Sequence, residues 1–141
     1  MSSLCATCLF CRIIRKEIPS AIVYESQKTL AFMDLFPLSM GHILVIPKYH
    51  AAKVHEVPDA YLDEILPVAK KIAQASISVT GVTEYNILQN NGREAHQEIE
   101  HVHFHIIPKP NKDEGLGIHW PAKKGDAESL QELARAISKQ Y

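Results

Sequence analysis

What this chain lacks narrows its function before any motif is read. No stretch reaches the roughly 18 uninterrupted apolar residues of a membrane-spanning helix, and the start, Met1-Ser2-Ser3-Leu4-Cys5, has no basic flank followed by an apolar run. A soluble intracellular protein with no membrane partner is therefore expected. The formal net charge of −1 supplies no basic excess, which argues against a dedicated nucleic-acid surface. Cysteine is scarce and clustered: all three lie within Cys5-Ala6-Thr7-Cys8-Leu9-Phe10-Cys11, an odd count packed too closely to staple distant segments. That spacing argues against a secreted disulfide framework. There is no Walker-type phosphate loop, dinucleotide glycine fingerprint, internal repeat or low-complexity tract, so any phosphate must be held by imidazoles and backbone donors.

What is present suffices for one core. With 141 residues, 46% of them hydrophobic and 22% charged, a single domain over residues 1–141 is expected. Residues 1–7 are small and polar and should be flexible. Leu9, Phe10, Ile13 and Ile14 recur at near-helical spacing, giving a short helix that stops before Ile18-Pro19. Residues 21–25 and 29–34 form a plausible hairpin across Ser26-Gln27-Lys28. His42 to Pro47 is an apolar strand with burial on both faces. Asp59 can cap a helix with Leu62, Ile65, Leu66, Ala69, Ile72 and Ala73 on one stripe, bent at Pro67 and stopped at Gly81. Tyr85 to Gln89 is a strand followed by an Asn90-Asn91-Gly92 turn. Residues 109–125 form an extended tail, and 126–140 a short final helix carrying Leu130, Leu133, Ala134 and Ile137. Strands with one long helix inserted predict an α+β fold on a mostly antiparallel sheet.

One stretch organises the chemistry: His101-Val102-His103-Phe104-His105-Ile106-Ile107-Pro108. Alternate strand side chains point to opposite faces, so the three histidines share one face while Val102, Phe104 and Ile106 press into the other. Crowded imidazoles disfavour each other's protonation, which keeps them neutral near pH 7. Neutral imidazoles are nucleophiles, general bases or metal ligands.

The alternation His101-x-His103-x-His105, with Phe10 to Pro19, Leu30 to Asp34, Gly41 to His50, Gln89 to Gly92 and Gly115 to Pro121, resembles the histidine triad (HIT) superfamily, and its Hint branch in particular. The resemblance implies a HIT fold: about five strands, one long helix, short terminal helices and a two-fold homodimer. It also implies location in the cytoplasm or nucleus, and a hydrolase cleaving the P–N bond of purine nucleoside phosphoramidates such as AMP-lysine. His103 would be the nucleophile, forming a covalent nucleotidyl-histidine that water then cleaves, with His101, His105 and His42 around the phosphate. Asp34 matches the carboxylate that takes the ribose hydroxyls. Leu9, Phe10, Ile13, Phe32, Leu35 and Leu44 match apolar positions about the base, and Asn90 and Gln97 match polar positions facing sugar and phosphate. Trp120 matches a tail tryptophan near the partner subunit's site. Two positions depart from the branch pattern: Glu98 stands where a hydroxyl is usual and His96 where glycine is usual, as in the fungal members that Ala95-His96-Gln97-Glu98 resembles. A carboxylate there puts proton delivery to the leaving group in doubt.

The Cys8-x-x-Cys11 pair offers two soft ligands, and tetrahedral zinc needs two more. Zinc-bearing relatives imply His50 and His101 as those ligands, giving a structural zinc that the chemistry does not require; a pair of buried reduced thiols is the alternative. Three further readings compete: a dinucleoside polyphosphate hydrolase or nucleotidyl transferase, a zinc-dependent hydrolase using the three histidines as ligands, and a nucleotide-binding scaffold.

Overall fold

The computed structural model describes residues 3–141. Its element order is α1 (Leu9–Ile14), β1 (Ile22–Glu25), β2 (Thr29–Met33), β3 (Ile43–Pro47), α2 (Asp59–Thr80), β4 (Tyr85–Gln89), β5 (Phe104–Pro108) and α3 (Ala127–Ser138), with single 3-10 turns at Val54–Glu56 and Arg93–Ala95. The five strands form one sheet in the order β1-β2-β3-β5-β4. Every neighbouring pair is antiparallel, which makes the α+β expectation good.

Period-two alternation divides the core. On one face Ala31, Ile43, Val45 and Ile106 pack against Ile65, Val68, Ala69 and Ile72 of α2. On the other, Leu30, Phe32, Leu44 and Ile46 pack against Phe10 and Ile13 of α1. This is why β3 is apolar at every position and buried throughout. Burying a Phe10-sized side chain is worth about 1.5–3 kcal/mol, so α1, though only six residues long, is held by packing rather than by helix propensity.

Three local expectations are corrected. Pro58 is the N-cap of α2 and Asp59 the first helical residue, with no side-chain capping bond; Asp59 serves instead as an acid in the first turn, where the helix dipole favours it. Leu66 is exposed and Val68 takes its place on the buried stripe, because the helix rests on the sheet along a line passing through 65, 68, 69 and 72. The triad segment enters its strand only at Phe104, since the chain bends at His101. The facial alternation nevertheless survives: Val102 and Phe104 pack toward the α2 side, while His101 and His103 meet Phe10.

The helix α2 continues through Pro67. The carbonyl of Asp63 that Pro67 cannot satisfy lies on the solvent face, where water can. Gly81 ends the helix at φ 75°, the left-handed cap that glycine adopts without strain. Residues 3–7 are tied in: Ser3 O accepts from His50 N, Cys5 N points at Cys11 Sγ, and Arg15 donates to Cys5 O and Ala6 O. The flexibility expected of residues 1 and 2 lies outside the described residues. Beyond Pro108 the expected extended tail is corrected over 110–115, where the chain bends about Asn111, whose Oδ1 accepts from Asp113 N and Glu114 N; it then runs without helix or strand to Asp126, and α3 is exposed at every position, Leu130, Leu133 and Ile137 included. Among the described residues no helix is long and apolar enough to cross a membrane.

Candidate active site

The strand register brings the histidines together. His105 lies opposite Leu44 of β3 and Leu88 of β4, on the face that α1 covers. Its ring packs on His103 at 4.8 Å, and Phe10 meets His103 edge-on at 5.1 Å and Phe32 at 5.6 Å. Apolar rings therefore wall one side of the triad. Burial keeps these imidazoles neutral: it lowers His103 and His42 below the ordinary histidine value and pushes His105 down to about 4.

Carbonyl oxygens only accept, so the proton positions can be read from the hydrogen bonds. His103 Nδ1 donates to His101 O at 2.7 Å, which leaves the lone pair of neutral His103 on Nε2. His101 Nε2 donates to Pro47 O at 2.9 Å, which leaves its Nδ1 lone pair facing Cys8 Sγ and Cys11 Sγ, each 3.5 Å away. Both nitrogens of His101 are thus committed away from any phosphate. Its part in the site is to aim His103 through its main-chain carbonyl, not to donate to phosphate oxygens. The reading in which three triad histidines share one catalytic zinc is overturned as well: the free nitrogen of His101 faces two sulfurs, and among the described residues no donor cluster joins His101, His103 and His105.

Asp34 directly follows β2, and its Oδ1 accepts from Phe36 N at 2.8 Å while Oδ2 lies 3.5 Å from His42 Nε2. A carboxylate has roughly four lone-pair directions, so capping the turn leaves capacity for hydroxyl donors. Phe10, Ile13, Phe32 and Leu44 belong to one buried cluster; Leu9 is 42% and Leu35 82% exposed, so the structure brings neither into that wall. Asn90 Nδ2 donates to His96 O at 3.4 Å. Gln97 is buried, and its amide donates to Ala52 O and Ile99 O and accepts from Gly92 N. It pins the loop leading to the triad, which is a different duty from facing phosphate.

Glu98 is exposed, yet close enough for its charge to favour the protonated form of His103, a pull smaller than the opposing effect of burial. His96 adopts φ 67°, the left-handed conformation in which glycine is at ease and other residues cost about 1–2 kcal/mol. The departure at 96 therefore keeps the backbone that a glycine would allow.

A second constellation joins Cys8, Cys11, His50 and His101, whose donor atoms all lie within 4.8 Å of one another. Cys11 Sγ is 3.6 Å from His50 Nδ1 and 3.5 Å from His101 Nδ1. Tetrahedral zinc with ordinary Zn–S and Zn–N bonds requires S···N separations of about 3.5 Å, so the donor set fits that ion. Burial pushes the Cys11 thiol up to about 11, a state that a bound cation reverses by displacing the proton. The Pro47 carbonyl behind His101 supplies the outer contact that fixes a ligating ring.

Comparison with known proteins places this geometry. A profile of the HIT domain matches residues 15–112. The chain belongs to the HIT family. This HIT chain is 49% identical over 132 residues to the adenosine 5'-monophosphoramidase of Schizosaccharomyces pombe, covering 94% of itself and 96% of that protein. It is 46% identical over 139 residues to the adenosine 5'-monophosphoramidase of Candida albicans, covering 96% and 91% respectively. The crystal structure of a histidine triad nucleotide-binding protein from Candida albicans superposes with a TM-score of 0.88 at 46% identity, over 95% of this chain and 96% of that one.

The groups missed in the sequence are all main-chain: the Pro47 and His101 carbonyls and the Leu38 N–H, which donates to His42 Nδ1. Every non-proline residue carries such groups, so no residue-type signal marks the ones that matter.

Proposed function

We propose that this HIT protein is an adenosine 5'-monophosphoramidase-type hydrolase, cleaving the P–N bond of purine nucleoside phosphoramidates. One observation carries the reading: a neutral, buried His103 is locked by its Nδ1–H to the His101 carbonyl, so that Nε2 alone is free, beside an aromatic wall and the His105 ring. The Nε2 lone pair attacks phosphorus, the P–N bond breaks, and the amine leaves with a proton from the site. Water then attacks phosphorus, giving the site back the proton that left with the amine, and the P–Nε2 bond breaks, releasing nucleoside monophosphate and restoring neutral His103. Asp34 takes the ribose hydroxyls, and Phe10 and Phe32 flank the base. The names of the fungal relatives, at 46–49% identity over nearly the whole chain, support the same activity.

The Cys8-Cys11-His50-His101 set would hold zinc, which would cross-link α1 to the chain just after β3 and the chain just before β5 and leave the phosphoryl chemistry to His103. A homodimer completes the reading: β4 is an edge strand that exposes Tyr85 and Ile87, and Leu66 of α2 is exposed as well.

Turnover of AMP-lysine against a diadenosine polyphosphate tests the substrate class. The amide is expected to be preferred by at least ~10-fold in kcat/KM, because the Glu98 carboxylate attracts a cationic amine and repels an anionic leaving group; preference for the polyphosphate overturns the assignment.

The pH dependence has a definite sign. A nucleophilic imidazole must be neutral, and burial lowers His103, so the acid limb of kcat/KM should lie below the ordinary histidine value of about 6.5. Stability follows the same direction. A group whose folded pKa is depressed below its unfolded value binds more protons when unfolded, so its contribution is full above about pH 6.5. For His105 that contribution drains away as pH falls toward about 4. A pH–rate profile with its acid limb at or above 6.5 contradicts the neutral-nucleophile reading.

A further inference from the structure

The contacts of His42 determine more than where its ring lies. Leu38 N–H donates to His42 Nδ1 at 3.1 Å, and a main-chain N–H can only donate, so Nδ1 holds a lone pair. Neutral His42 then carries its proton on Nε2, which lies 2.9 Å from His105 Nδ1 and 3.5 Å from Asp34 Oδ2. That proton occupies the short N···N contact, so His105 Nδ1 is the acceptor and His105 bears its own proton on Nε2.

Asp34, His42 and His105 bring donor atoms within 4.8 Å of one another, but the arrangement is a proton chain rather than a metal site. Two imidazoles on one zinc stand about 3.4 Å apart, and these stand at hydrogen-bond distance. The residue that carries this N–H is itself clamped. Its carbonyl accepts from Gly115 N at 3.1 Å and Ser39 O accepts from His42 N at 3.2 Å, while Ser39 Oγ donates to Pro108 O at 2.6 Å. Gly115 is required for that clamp: at φ 88° a Cβ there would stand 2.6 Å from Pro108 O.

We propose that the Leu38 main-chain N–H, acting through His42, is a positioning group that sets the tautomer of His105 and so presents an Nε2–H donor to the phosphoryl group at His103. For its catalytic consequence this rests on the phosphoramidase reading; the tautomer itself does not. With the opposite tautomer His105 would turn a lone pair toward developing negative charge, and losing one such preorganised donor costs about 10²–10³-fold in kcat.

Two measurements on the full chain test it. Ring 15N shifts of the wild-type protein at neutral pH should show Nδ1 unprotonated and Nε2 protonated on both His42 and His105, with a scalar coupling across the His42 Nε2 to His105 Nδ1 hydrogen bond. A proton on His105 Nδ1, or a doubly protonated His105, overturns the proposal. Replacing Leu38 by its α-hydroxy analogue, which exchanges only that N–H for an ester oxygen, should lower kcat for AMP-lysine by ~10- to 100-fold with KM changed by less than ~3-fold. In the same protein the His42 Nδ1 signal should move toward the protonated position. A folded ester protein with unaltered kcat and unaltered ring shifts equally overturns it. If the wild type has no phosphoramidase turnover, it is the functional reading that fails, and the wild-type 15N spectrum alone decides the tautomer.

Discussion

Replacing His103 by alanine is expected to abolish the trapped nucleotidyl adduct and to cut kcat for AMP-lysine by roughly 10⁴-fold or more. The size follows from what is removed. Every other group of the site aims, walls or donates, and each such role is worth two or three powers of ten, but only His103 Nε2 has a free lone pair beside the aromatic wall. His101 cannot substitute, because its Nε2 is tied to Pro47 O and its Nδ1 faces two sulfurs. His105 cannot easily substitute either, since its Nδ1 is engaged by His42. Intact-protein mass measurement after rapid acid quench reads the adduct, and peptide mapping places it. An adduct of undiminished yield in His103→Ala would mean that another group attacks phosphorus. The variant should stay folded, because the aromatic contacts of His103 add only about 0.5–1.5 kcal/mol beyond area burial.

The second large effect concerns the thiol and imidazole cluster. Cys11→Ser, or stripping the metal with a chelator, should eliminate bound zinc and lower Tm by about 10 °C, corresponding to roughly 3 kcal/mol for a chain of this size. Cys11 is wholly buried, and its neighbours are the rings of His50 and His101. Without a cation, the Nδ1 lone pair of His101, the His50 ring and two thiols are left facing one another with poor donors between them. Turnover per folded molecule should fall far less than in His103→Ala, by about tenfold, because the metal would act on the nucleophile only through the His101 carbonyl and through Phe10, which sits between the two cysteines in sequence. Metal content by elemental analysis and Tm by calorimetry decide the point. A protein purified without zinc, whose Tm is indifferent to chelator and to Cys11→Ser, would remove the metal from the account. Complete loss of activity on chelation with the fold intact would place the metal in the chemistry instead.

One loop sets the chain's approach to the triad. Gln97 holds the chain ahead of the triad by bonding Gly92 N, Ala52 O and Ile99 O, and His96 accepts the left-handed backbone on the same loop. Glu98, next to the anchored Gln97, therefore projects from a fixed base. Its carboxylate is exposed, and from there its charge reaches His103, favouring the protonated ring less than burial disfavours it.

The sequence alone determined the strand count, the antiparallel fold class and the facial split of His101 to Ile106, since periods of two and 3.6 are written in the order of apolar residues. The C-x-x-C spacing marked Cys8 and Cys11 as two soft ligands, and the family resemblance supplied His50 and His101 to complete the metal-fitting quartet. Only the tertiary structure decided which imidazole is free. That depends on where Pro47 O, His101 O and the Leu38 N–H come to rest, and these are groups every residue type shares. It also decided that Leu35 faces water and that Gln97 serves the loop, because burial is a property of what the rest of the chain brings alongside a residue and not of the residue itself.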